Sequence, residues 1–192
     1  MKPDQSAFEN YIKNIIGTVP PESELAEILN VFRFMPLNKN SFLVEEGSIC
    51  PYFCFIENGV LQHSIVLDGE EKTTYLGLRN SCTAALKSFR FKIKSRKSIK
   101  AITDCELWVI EIDEFEHLMT HNDTFQRFYH NLIENQIYRI DDYRIDLLTL
   151  SPEERYKKLL ENEPNLLQDV PLHYLASFLG ISTRHMSRIR KK

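Results

Sequence analysis

Cysteine is scarce in this chain and badly spaced for chemistry. Cys50, Cys54, Cys82 and Cys105 form no Cys-x-x-Cys pair and stand beside no histidine at zinc-ligand spacing. An iron–sulfur cluster would need a tighter group, so the four are expected to be small buried hydrophobes in a reducing compartment. Long apolar runs are also missing. None approaches the ~18 residues a membrane span requires, and the start, MKPDQSAFENYIKNIIGTVP, lacks the continuous apolar stretch of a signal peptide. The expectation is a cytoplasmic protein without a membrane partner. Catalytic groupings are equally thin. No nucleophile–base arrangement is visible. His117, His121 and His130 lie in helical stretches without a partnering carboxylate pattern, and no signature marks a haem site. Neither a metal site nor an enzyme is expected.

What is present suits a globular chain with a proper core: 192 residues, 43% hydrophobic and 11% aromatic. The net charge is −3, and it is unevenly spread. The last ten residues, TRHMSRIRKK, hold five Lys/Arg and no acid, which leaves −8 for the 182 residues before them. Such asymmetry points to a local anionic partner.

Residues 5–35 are expected to form short amphipathic helices, with Leu25, Ile28, Leu29 and Phe32 at helical spacing. After Leu37 the pattern turns to strands rich in Phe, Tyr, Val and Ile. Asn58-Gly59 and Asp68-Gly69 are hairpin signals, because such pairs tolerate the positive φ of a tight turn. Short strands with regular turns predict a compact antiparallel barrel or roll. From Ile112 the chain reads as helix. Tyr129, Leu132, Gln136, Ile140, Tyr143 and Leu147 follow four- and three-residue steps, as a dimer seam on a long helix would require, opposite a face charged by Arg139, Asp142 and Arg144. Ser151, Pro152 and Glu154 form the start of a new helix with a capping box.

The C-terminal stretch VPLHYLASFLGISTRHMSRIRKK carries the function. Pro171 opens a helix with Leu172, Leu175, Ala176 and Leu179 on one face, Gly180 stops it, and Ser182 caps a second helix with Met186 and Ile189 inward. Alanine followed four residues later by glycine is the spacing of a helix-turn-helix, since the small side chain lets two helices cross closely. Thr183, Arg184, His185, Ser187 and Arg188, followed by Arg190, Lys191 and Lys192, are then offered outward with Ser182 at the helix start. Arginines and hydroxyls there can meet base edges and phosphates of double-stranded DNA in the major groove.

A β-roll, a long helix and a terminal helix-turn-helix together resemble the Crp/Fnr family of bacterial transcription regulators over nearly the whole chain. FLVEEGSICPYFCFIENGVLQHSIVLDGEEKTTYLG is similar to the family's cyclic-nucleotide-binding roll, with Glu46-Gly47, Gly59 and Asp68-Gly69 at its turns. SPEERYKKLLENEPNLLQDVPLHYLASFLGISTRHMSRIRKK is similar to its DNA-binding end in the short form that stops after the recognition helix. The resemblance implies an α+β fold: an antiparallel β-roll (double-stranded β-helix) with flanking helices over 1–121, a dimerisation helix over 122–149 and a DNA-binding domain over 150–192. It implies a homodimer on a pseudo-palindromic operator and an effector-sensing roll, with RNA polymerase left open as a further partner. It places Arg188 where the family keeps a base-contacting arginine. Thr183 and Arg184 stand where arginine and glutamate are common, so a different operator is expected.

The family's phosphate-binding cassette has a Gly-Glu pair opening a short helix, then an arginine before an Ile/Val-x-Ala strand. The glutamate accepts from the ribose hydroxyl and the arginine pairs with the cyclic phosphate. Here Ile99-Lys100-Ala101 matches the strand, Asn80-Ser81 are read at the Gly-Glu positions, and Ser95 holds the arginine's place with Arg96 one residue later. One residue of displacement in a strand turns a side chain to the other face. A cyclic nucleotide held in the family's usual manner is therefore not expected, although Arg96 would still serve if the loop before it bends; a cyclic nucleotide or another small anionic effector stays open. The candidate pocket residues are Asn80, Ser81, Cys82, Ser88, Ser95, Arg96 and Ser98.

Two rival functions fit less well. β-Rolls also resemble cupins, which bind a metal through a His-x-His-and-Glu cluster, but the corresponding hairpin holds only His63. A roll acting as a small-molecule-binding adaptor without DNA would leave the helix-turn-helix unexplained. The run KSFRFKIKSRKSIK, basic at half its positions and free of acids, is read with odd positions from Phe89 to Ile93, then Ile99 and Ala101, inward. Arg90, Lys92, Lys94 and Lys100 are read outward. Three uses stay open for it: a modified anion pocket, a docking face for RNA polymerase, or solvated charge.

Overall fold

The computed structural model describes residues 4–162 and 170–190. Helix α1 (Ser6–Ile16) forms on an apolar stripe, Phe8, Ile12 and Ile16, repeated every four residues and buried. Helix α2 (Glu22–Val31) buries Leu25 and Ile28 the same way, with Phe32 buried just past its end.

Eight strands follow: β1 (Arg33–Leu37), β2 (Phe42–Val44), β3 (Tyr52–Asn58), β4 (Leu61–Leu67), β5 (Glu70–Gly77), β6 (Ser81–Thr83), β7 (Ser98–Ala101) and β8 (Cys105–Glu111). They pair antiparallel in two four-stranded sheets, ordered β1-β8-β3-β6 and β2-β7-β4-β5. This is the antiparallel roll of the α+β fold read from the sequence. Asp68 and Gly69 have φ values of 53° and 78° and close the β4–β5 hairpin. Asn58-Gly59 does not make the second hairpin expected of it, because β3 and β4 belong to different sheets. It is a corner. Gly59 has φ 91°, and a Cβ on it would lie 2.5 Å from the Asp104 carbonyl oxygen. The glycine serves a close backbone approach rather than a two-residue turn.

Helix α3 (Leu86–Phe91) interrupts the roll between β6 and β7, and α4 (Ile112–His121) leads to the 27-residue α5 (Asp123–Thr149). At 1.5 Å per residue α5 is about 40 Å long. Its start is fixed by Asn122, fully buried, whose Oδ1 accepts from Phe125 N at 2.8 Å while its Nδ2 donates to the Glu24 carbonyl and Glu27. The main core joins these helices to one face of the roll through Phe8, Phe32, Phe55, Phe115, Phe125 and Phe128, with ring centroids 4.6 to 6.4 Å apart for the contacting pairs. Truncating one such ring to alanine would cost about 3–5 kcal/mol.

Helix α6 (Pro152–Asn162) starts at the expected capping box: Ser151 N donates to Glu154 and Glu154 N donates to Ser151 Oγ. Helices α7 (Leu172–Leu179) and α8 (Thr183–Ile189) complete the chain, with Gly180 between them at φ 70°. They do not stand apart from the roll. Leu175, Ala176, Leu179, Met186 and Ile189 share a second core with Val60, Leu76 and Ile102 of the roll. No helix among the described residues is long and apolar enough to cross a membrane.

Candidate nucleic-acid interface and effector cavity

The C-terminal pair of helices has the internal packing of a helix-turn-helix. Ala176 is 1% exposed at the crossing, and Met186 and Ile189 fill the space beneath α8. Ser182 caps α8 by accepting from His185 N at 3.1 Å. Thr183, Arg184, Arg188 and Arg190 are exposed, so the outward face is cationic. Two expected contacts are partly engaged within the chain. His185 Nε2 lies 3.1 Å from Glu153 Oε1, and Ser187 Oγ donates to the Thr183 carbonyl at 3.0 Å. Lys191 and Lys192 lie outside the described residues, as does 163–169 of the resembling segment.

The long helix distributes the expected seam differently. Tyr129 packs its ring against Phe53 and Phe115, and Leu132 leans on the main core. Gln136 and Ile140 line the cavity described below. Tyr143 donates to the Phe178 carbonyl at 3.1 Å and stacks on its ring at 5.5 Å. Only the C-terminal part of that stripe is left outward. The exposed apolar side chains of α5 are Ile137, Tyr138, Ile140, Ile145, Leu147 and Leu148. The physical reason is that the body of the chain touches α5 on the face that the heptad pattern alone assigns to a partner.

Between the roll, α3 and α5 lies a cavity of about 660 Å³, within the range of small-molecule sites. Cys82, Ser88, Ser95 and Arg96 line it as expected. Asn80 and Ser81 instead line a smaller neighbouring cavity of about 280 Å³, which Cys82 also borders. Ser98 is at neither. Its hydroxyl accepts from Glu46 N at 2.9 Å and holds the β2–β3 connection. Ser88 is structural as well: its Oγ accepts from Cys50 N and donates to the Ile93 carbonyl.

The local fold also revises the basic run. Residues 86–91 are helical, so strand alternation does not apply: Phe89 is buried, but Phe91 and Ile93 are 70% and 43% exposed. Arg90 turns inward, its guanidinium 4.9 Å from the centre of the Phe115 ring. Ile99 and Ala101 are fully buried in β7, as read. Strand β7 begins only at Ser98, so Ser95, Arg96 and Lys97 lie in the connection before it and all three reach the cavity. The displacement by one residue does not carry Arg96 away.

Two polar residues of this wall are not legible in the sequence. Burial, reinforced by the Lys97 charge, holds His63 well below the ordinary histidine range, so its imidazole is neutral. Its Nε2 lies 2.8 Å from Thr83 Oγ1, while Nδ1 is buried without a hydrogen-bond partner. Burial also lowers the Lys97 ammonium. Burial raises all four cysteine thiols, in keeping with small apolar side chains rather than reactive thiolates.

A cyclic nucleotide fits this wall only in part. Arg96 and Lys97 can meet a phosphate. The pair that precedes the short helix α3 is Ala84-Ala85, not the Asn80-Ser81 read from the sequence, and it supplies no carboxylate. Among the described residues neither Asp nor Glu lines the cavity.

Comparison with known proteins agrees with this architecture. Residues 34–122 match the family model of the cyclic nucleotide-binding domain. No curated protein matches the sequence at a significant level. Among solved structures the chain is similar to FixK2 from Bradyrhizobium japonicum, at 14% identity over 84% of this chain and 83% of that chain, TM-score 0.72. It is similar to a protein from Eubacterium rectale described as a transcriptional regulator of the crp/fnr family, at 16% identity over 90% and 82%, TM-score 0.67. It also resembles CLP, the c-di-GMP responsive global regulator of Xanthomonas campestris, at 13% identity over 89% and 90%, TM-score 0.67. At these identities the likeness establishes the fold.

Proposed function

We propose, from a chain that carries a cyclic nucleotide-binding domain in the fold of Crp/Fnr transcriptional regulators, that it is a homodimeric, sequence-specific DNA-binding regulator whose roll senses a small molecule. The observation that carries this reading is the C-terminal pair of helices. A recognition helix with a buried underside, a capped start and Arg184, Arg188 and Arg190 free on its outer face supports entry into a major groove. The apolar side chains left exposed on α5 support pairing of two chains along that helix. Such a pair would set two recognition helices roughly 34 Å apart, one turn of DNA. An effector in the roll cavity would then act on α5, because Leu132, Ile133, Gln136 and Ile140 form one wall.

Selection from a random double-stranded DNA library with the purified chain tests the reading. Enrichment of a two-fold-related sequence is the expected result. Recovery of sequences with no shared element would leave a small-molecule-binding adaptor instead.

A further inference from the structure

We propose that the roll cavity takes an organic anion with an apolar body, its charged group on Lys97 and Arg96, and discriminates against a cyclic nucleotide. The inference rests on the roll being the effector module, and names the class of effector.

The first support is the sign of the wall. Arg96 and Lys97 line it, Lys87 and Lys94 stand at its exposed margin, and no carboxylate answers them. Elsewhere in the same basic run two lysines are matched, Lys92 by Asp113 at 3.0 Å and Lys100 by Glu71 at 3.4 Å, while Arg90 lies over the Phe115 ring. Lys97 makes no ion pair among the described residues although it is half-buried. A desolvated ammonium without a counter-charge is unfavourable unless a ligand supplies one.

The second support is His63. At 2% exposure it lines the cavity with Nδ1 unpartnered, a position that native structures seldom leave unfilled. A neutral imidazole can hydrogen-bond a ligand there without adding charge.

The third support is the hydrocarbon that also lines the cavity. Phe53, Ile65, Leu132, Ile133 and Ile140 present hydrocarbon, which rewards an apolar body, with Gln136 the polar side chain among them on α5. A ribose placed here would meet neutral groups such as Gln136 and Thr74 in place of the carboxylate that Ala84-Ala85 cannot provide, and a weaker partner for a buried hydroxyl lowers affinity. The cavity volume of about 660 Å³ lies within the range of sites for small organic molecules.

The test uses the full chain and the fluorescent sulfonate 1-anilinonaphthalene-8-sulfonate, displaced in turn by decanoate, decanol and cAMP. The expected result is displacement by decanoate, with decanol weaker by about tenfold or more, the equivalent of one charge-assisted contact, and cAMP weaker still. Lys97→Met should weaken decanoate by at least the same factor while melting at or above the parent temperature. Arg96→Ala, at an exposed position, serves as a second variant for which folding is not in question. Displacement by cAMP at lower concentration than decanoate would overturn the proposal. So would equal potency of decanoate and decanol, unchanged decanoate potency in both variants, or no bound fluorescence at all. None of these outcomes bears on DNA selection. A failed selection beside intact decanoate binding would count against the regulator reading instead.

Discussion

Arg188 leaves α8 on the side away from Met186 and Ile189, so shortening it removes a possible DNA contact while leaving the second core intact. Arg188→Ala is expected to lower affinity for the selected sequence by about 1–3 kcal/mol and to relax preference at the base it meets. Binding isotherms on the selected and a single-position-altered duplex measure both effects, and unchanged affinity would mean that another side chain occupies the groove. His185 makes the useful contrast. It sits on the same short helix with its side chain 41% exposed, yet Glu153 of α6 already engages its ring, a contact the sequence does not display. Lys97 was invisible for a related reason. In a run where every second residue is basic, composition cannot tell a paired lysine from an unpaired one, and the distinction depends on Asp113 and Glu71 arriving from distant strands and helices.

At the scale of elements, local signals were legible where local chemistry decides. The Ser151–Glu154 capping box, the Asp68-Gly69 hairpin and the Gly180 stop are each set by a few adjacent residues, and each stands in the fold. Asn58-Gly59 has the same local signal but a different use, since which sheet receives the next strand is a matter of long-range pairing. Helix α5 shows the same division. Its length and continuity follow from periodicity, but which side is left exposed depends on where the roll and the C-terminal helices lean. Two substitutions separate the faces. Ile137→Glu, at a site 58% exposed, is expected to yield monomers by sedimentation with little change in melting temperature. Leu132→Glu buries a carboxylate against the main core and the cavity, so it should lower the melting temperature of the chain whatever its oligomeric state. A dimeric Ile137→Glu protein would move the pairing face elsewhere on the surface.

In the whole molecule the C-terminal helices are seated on the roll rather than tethered beside it. Thr73 N of the roll donates to Ser177 Oγ at 2.8 Å where the β4–β5 register shifts, Tyr143 of α5 holds Phe178, and Arg155 ties α6 to the Leu179 carbonyl at 3.1 Å. This seat leaves Arg184, Arg188 and Arg190 in solvent, so it does not hide the recognition helix. Its effect is to fix where that helix points relative to α5, and therefore the spacing that a dimer would present to DNA. Pre-set spacing favours binding of two half-sites together, because less orientational freedom is lost on association. Ser177→Ala leaves the Thr73 N–H without its acceptor at a partly buried position, a loss of about 1–3 kcal/mol in the docked state. The variant is expected to bind a duplex with both half-sites several-fold more weakly while its affinity for a single half-site hardly changes. Titration of the two duplexes side by side reads the difference. Equal losses on both would place the effect within the helix-turn-helix itself, and tighter binding to the full site would make the docked arrangement the restraining one.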